Sequence, residues 1–232
     1  IYWGWPASES YPSLLASTLL HLGYYLALTG AYKRADMGQV YPVARGSAPL
    51  MTSLFTSIFL AEPLTSNSII GIALLGLGIF TMAFNFKTDG QKMDRQALLY
   101  AILTAICICG YTIADGTGAR LSGNPHAYTA ALFVLDGFSF TIFAFLLRGF
   151  DNLKPIFKYA LPGLLGGAMS CAAYGIAIWA MTVAPIPLVA AVRETSVLFG
   201  AAIAVIFLNE PLKTSRIVAA ILIVCGLTVI RF

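Results

Sequence analysis

Arg45 and Arg193 each stand inside a long apolar stretch, and Glu194 follows the second directly. An arginine at the centre of a membrane helix costs about 2.5–3.5 kcal/mol on insertion scales, so such a residue is expected to face a cavity or an ionic partner. A guanidinium presents a planar fork of donors that matches a carboxylate or phosphate bidentately. Two of them suit an anionic or zwitterionic small molecule. Successive helical residues point about 100° apart, so Arg193 and Glu194 pair poorly with each other. Glu194 is expected to meet Arg45, or to carry a coupling proton. Tyr41 precedes Arg45 by one turn on the same face. Asp136, in the apolar phrase FVLDGFSF, has no charged residue within a turn, and Tyr174 is a further aromatic candidate. Arg45, Arg193, Glu194, Tyr41, Asp136 and Tyr174 are therefore the candidate lining of a solute site. The competing reading is a purely internal ion bridge.

Other polar residues point elsewhere. Glu62 and Glu210 each precede a proline and read as helix stops, with the carboxylate near water or near the N-terminus of the next helix, where the helix dipole favours it. Asp115 reads as a helix-end residue. His21 and His126 stand apart in sequence, and the four cysteines lie in apolar runs with no metal-ligand spacing. No metal, organic cofactor or catalytic residue is expected. Gly71, Gly76, Gly78, Gly163, Gly166 and Gly167 are expected to let helix backbones approach closely.

Something must hold these residues, and the composition names its class. Of 232 residues, 59% are hydrophobic and 10% charged, with net charge +4; mean hydropathy is +0.82. Soluble domains carry about 25% charged residues, so the apolar surface calls for lipid. The weak charge gives no reason to expect nucleic acid. Spans of about 20 apolar residues cross a bilayer. Eight segments qualify, near 11–31, 38–60, 67–86, 97–115, 127–147, 157–181, 187–208 and 214–230. Their runs lack the period-two alternation of a membrane β-barrel, which leaves an all-α polytopic bundle. The polar stretch 87–96 is the natural linker.

The phrase LAEPLTSNSIIGIALLGLGI at Leu60 returns as LNEPLKTSRIVAAILIVCGL at Leu208, an offset of 148 residues that also carries Arg45 onto Arg193 and Glu62 onto Glu210. The chain thus divides into repeats at 1–90 and 91–232. Helices four and five have no partner in the first copy, so eight helices of a five-plus-five set are expected, with two missing before Ile1. An odd number per copy inverts the second copy, the inverted-repeat arrangement of many secondary transporters.

On these residues the chain resembles the EamA branch of the drug/metabolite transporter superfamily. The carrying features are the paired (A/N)-E-P-L phrases at Leu60–Leu64 and Leu208–Leu212, each followed by a Gly-rich closing helix, and Pro49 thirteen residues before Glu62. Two features depart from the pattern: charge in the middle of the paired helices, and Val197 where the second copy would carry proline. The resemblance implies a ten-helix fold in the plasma (inner) membrane, transport of small metabolites by alternating access, and coupling to protons or another ion. A homodimer is a further expectation. A membrane-embedded enzyme acting on a lipid or lipid-linked substrate is the alternative; it would show a His, Asp or Ser/Lys cluster near one interface.

Overall fold

The computed structural model describes residues 4–35, 37–62, 64–84, 94–149, 159–207 and 214–231. Among them regular structure is helical: a short 3-10 turn at Ser8–Ser10, then α1 (Tyr11–Tyr32), α2 (Met37–Phe59), α3 (Ser66–Phe84), α4 (Arg95–Leu121), α5 (Pro125–Arg148), α6 (Ala160–Val183), α7 (Ile186–Arg193), α8 (Ser196–Phe207) and α9 (Thr214–Arg231). Four stretches, Ser8–Tyr32, Arg95–Leu121, Pro125–Leu147 and Ala160–Val183, are long and apolar enough to cross a membrane. Large apolar side chains such as Leu146, Leu164 and Met169 stand exposed on them, a surface that suits lipid. The chain is a polytopic helical membrane bundle, as the hydropathy pattern leads one to expect.

Local sequence explains the helix limits. Asn124 caps α5, its side-chain oxygen accepting the N–H groups of His126 and Ala127 at 3.1 and 3.2 Å, and Pro125 supplies a first residue that needs no donor. Gly149 ends the same helix at φ 66°, a backbone that glycine adopts without strain. At the end of α2, Ala61 takes φ 47°, and the N–H of Glu62 reaches back to the Thr56 carbonyl at 3.3 Å. A left-handed residue just past the last turn is a common helix stop; here the closing bond reaches one residue further back than in the usual motif.

Two expectations need correction. The seventh segment, expected as one helix over 187–208, is two: α7 and α8 part at Glu194–Thr195. There the backbone tightens to three-residue spacing, Glu194 N–H to Ala191 and Thr195 N–H to Val192, each at 3.1 Å. The Thr195 hydroxyl also takes the Val192 carbonyl at 2.8 Å, the local competition that makes threonine a poor helix-interior residue. The second correction concerns glycines. Gly163, Gly166 and Gly167 face open space rather than a neighbouring backbone; they lie on a helix whose described residues there are exposed.

The chain forms two compact units, residues 1–22 with 114–183, and residues 23–113 with 184–232. Each unit draws segments from both sides of the polar linker. The first packs around Leu14, Ala119, Tyr128, Ala131, Leu132 and Ile178, with the Arg120 Nε donating to the Met181 carbonyl at 2.8 Å. The second packs around Ile72, Leu75, Ile79, Ala191 and Ile223.

Within the second unit the closing helices of the two repeat copies, α3 and α9, meet backbone to backbone. A methyl placed on Gly226 would stand 2.7 Å from the Gly71 carbonyl oxygen, and one on Gly78 would stand 3.0 Å from the Ala219 carbonyl oxygen. Moving from Gly71 to Gly78 along α3 therefore moves backward along α9 from Gly226 to Ala219, so the helices run antiparallel. The repeat offset carries Gly71 onto Ala219 and Gly78 onto Gly226. The pairing maps onto itself when the copies are exchanged, as two oppositely directed copies require.

Candidate functional site

In the second unit, Arg45 on α2 and Glu194 at the α7–α8 break form an ion pair, with Arg45 Nη2 to Glu194 Oε1 at 3.2 Å. The side chains are 20% and 6% exposed. Arg193 lines the same cleft with Pro49, Thr52 and Thr112, and its charge acts on Glu194 together with that of Arg45. The partly open cleft has water-accessible room of about 10 Å³, enough for about one water. In this conformation the ion pair leaves little room beside it. The second carboxylate oxygen of Glu194 is buried and makes no hydrogen bond among the described residues.

The backbone is loosened at the arginine in both copies, by different means. Pro49, four residues after Arg45 in α2, has no N–H to offer the Arg45 carbonyl. Val197, four residues after Arg193, does have one, but gives it to the Glu194 carbonyl at 3.1 Å. The missing proline in the second copy is thus replaced by a helix break. That break also places the charges well. Arg193 sits in the last turn of α7 and Glu194 just ahead of α8, where a helix dipole favours a cation and an anion respectively.

The (A/N)-E-P-L phrase has a definite job in its first copy. Left-handed Ala61 turns the chain, and Glu62 Oε2 then accepts the Ile186 N–H at the start of α7 at 2.8 Å. The carboxylate was expected at the N-terminus of the following helix; it caps the seventh instead, in the other repeat copy. Glu210 lies outside the described residues. Tyr41 is in α2, but its side chain lies outside them also.

A second polar cluster occupies the first unit. Asp115 is fully buried and lies well inside α4 rather than at its end, because that helix continues to Leu121. Tyr174 and Tyr128 both donate to it, Tyr174 to Oδ2 and Tyr128 to Oδ1 at 3.2 Å. His21 on α1 is not isolated. Its ring meets Tyr174 edge-on with centroids 6.0 Å apart, and its Nδ1 lies 3.7 Å from Asp136 Oδ2. The structure therefore brings together Arg45, Arg193 and Glu194 in one unit, and Asp136 and Tyr174 in the other. Sequence reading missed His21 and Asp115. The available signal was that apolar character resumes after Asp115, and that His21 and Asp136 are both ionisable residues within apolar runs.

Four helices of spanning length and apolar surface, with ionisable side chains such as Asp115 buried among them, define an integral multi-pass membrane protein. The profile of the EamA-like transporter family matches residues 95–232, more than half of the chain, and the protein belongs to that family. A solved structure described as "Crystal structure of protein" has a TM-score of 0.68 at 18% identity, over 95% of this chain and 76% of that one; this likeness shows the fold. No curated protein matches the chain.

Proposed function

We propose that the protein is a secondary transporter that moves a small anionic or zwitterionic metabolite across the plasma (inner) membrane by alternating access. The observation that carries this reading is the Arg45–Glu194 ion pair at a broken helix, with Arg193 beside it. Intramembrane charges are costly to hold and mark solute or ion paths. Discontinuous helices supply the charged ends and freed backbone groups that coordinate solutes in transporters.

The narrow cleft suggests how a solute enters. A carboxylate or phosphate that reaches Arg45 takes the place of Glu194 as its counter-ion, so the arginine is never left unpaired in a dry site. Glu194, displaced beside an anion, takes up a proton to balance the exchange, and Arg193 supplies a second fork. Opening the cleft and binding the solute are thereby one event.

A thermal-shift screen of the purified full-length protein tests this, with amino acids, dicarboxylates and phosphate-bearing metabolites as probes. One class should stabilise the native protein and leave Arg193→Ala unmoved. Equal shifts in both proteins would remove Arg193 from the site.

A further inference from the structure

The two buried acidic centres differ in one chemical respect. Glu194 faces arginine, whose charge does not change at any pH a protein meets. Asp136 faces His21, the side chain whose charge does change between about pH 5 and 8. We propose that His21 and Asp136 form a proton-binding site in the first unit, separate from the arginine cleft, whose occupancy couples transport to a proton gradient. The proposal rests on the transporter reading for its purpose, though not for its chemistry.

The geometry places the proton on the pair. His21 Nδ1 lies 3.0 Å from the Ser17 carbonyl oxygen and 3.2 Å from the Ser17 hydroxyl, which hold the ring with this nitrogen 3.7 Å from Asp136 Oδ2. One proton from water, on the imidazole or on the carboxylate, cancels the net charge of the pair, and its return to water reverses that.

Titratable neighbours face the pair from the packed helices. On α4 and α6, Asp115 and Tyr174 are tied to each other, and on α5 Tyr128 donates to the same carboxylate. Two phenol donors hold the Asp115 carboxyl in place behind the pair. The Tyr174 ring edge links the imidazole to that carboxylate.

A further pair of atoms shows that the site is not saturated. Thr18 is 7% exposed and its hydroxyl neighbours Asp136. Yet neither Thr18 Oγ1 nor Asp136 Oδ1, both buried, makes a hydrogen bond of ordinary geometry among the described residues. A buried hydroxyl and carboxylate oxygen left with bonds to make are costly, and a proton on the carboxylate is a ligand that completes them.

Proton uptake by the purified full-length protein, without added solute, tests the site. On acidification from about pH 8 to about pH 5, the range in which histidine charges, the native protein should take up about one proton more than Asp136→Asn or His21→Gln. Asp136→Glu, which keeps a carboxylate at this position, should restore most of the uptake and serves as a folding control. Equal uptake in all four proteins would overturn the proposal. So would stabilisation of the native protein by sodium chloride over choline chloride that Asp136→Asn loses, because the occupant would then be a metal cation. A metabolite screen with no stabilising probe would count against the transporter reading while leaving the proton result standing.

Discussion

Glu62 Oε2 accepts the backbone N–H of Ile186 at 2.8 Å, so the residue that follows the end of α2 closes the start of α7 across 124 positions of sequence. The (A/N)-E-P-L phrase looks like a helix stop because its proline and its turn are local. Its glutamate acts at long range, satisfying one of the donors that every helix leaves open at its first turn.

Replacing Glu62 with alanine removes that acceptor and a favourable charge from the N-terminus of α7. The expected loss is about 1–2 kcal/mol, read as a lower midpoint in denaturant unfolding of the protein in detergent. Glu62→Gln, which keeps an acceptor, should lose less. Equal losses would make the charge rather than the hydrogen bond decisive.

Ala61 is the position at which stability can be gained. Its φ of 47° suits glycine better than a residue with a side chain, so Ala61→Gly should stabilise by about 0.5–1 kcal/mol. A fall in the thermal midpoint would mean that the alanine methyl makes contacts worth more than the backbone strain.

The Arg45–Glu194 pair calls for a double-mutant cycle. Leaving one buried charge without its partner costs about 3–5 kcal/mol, whereas replacing both by apolar residues of similar size is often close to neutral. Arg45→Met and Glu194→Leu should each destabilise the protein. The combined variant should recover at least about 1 kcal/mol relative to the sum of the two. Additive losses would show that the two side chains do not act as a pair. The stable double variant should no longer respond to any metabolite probe.

Glycines that look alike in sequence should behave differently. Gly226→Ala presses a methyl onto the Gly71 carbonyl oxygen at 2.7 Å, and overpacking of this kind costs about 1–3 kcal/mol. Gly166→Ala meets open space and should be neutral or slightly stabilising by helix propensity. Thermal unfolding of the two single variants distinguishes them.

Much of this was legible in the order of residues. Apolar runs of spanning length place the helices, and a fixed repeat offset gives both the doubling and the equivalence of Arg45 with Arg193. The 100° rule for neighbours disfavours a direct Arg193–Glu194 pair, and Glu194 does meet Arg45. The helix break at Glu194–Thr195 was hidden because hydropathy is blind to a change from four-residue to three-residue hydrogen bonding. The cluster around Asp115 was hidden because its members come from four helices. Tyr128, Tyr174 and His21 look like ordinary packing residues until the fold aims them at two carboxylates. Gly163, Gly166 and Gly167 misled because small residues permit close approach without requiring it.

The contact between α3 and α9 limits how the second unit can move. Where a glycine of one helix meets a carbonyl oxygen of the other, sliding by a fraction of a turn drives oxygens into α-carbons. Parting the two helices uncovers the Leu75, Ile79 and Ile223 side chains packed around the same seam. Any give in this unit therefore falls to the helices that carry the arginines, α2 with its proline and α7–α8 with its break.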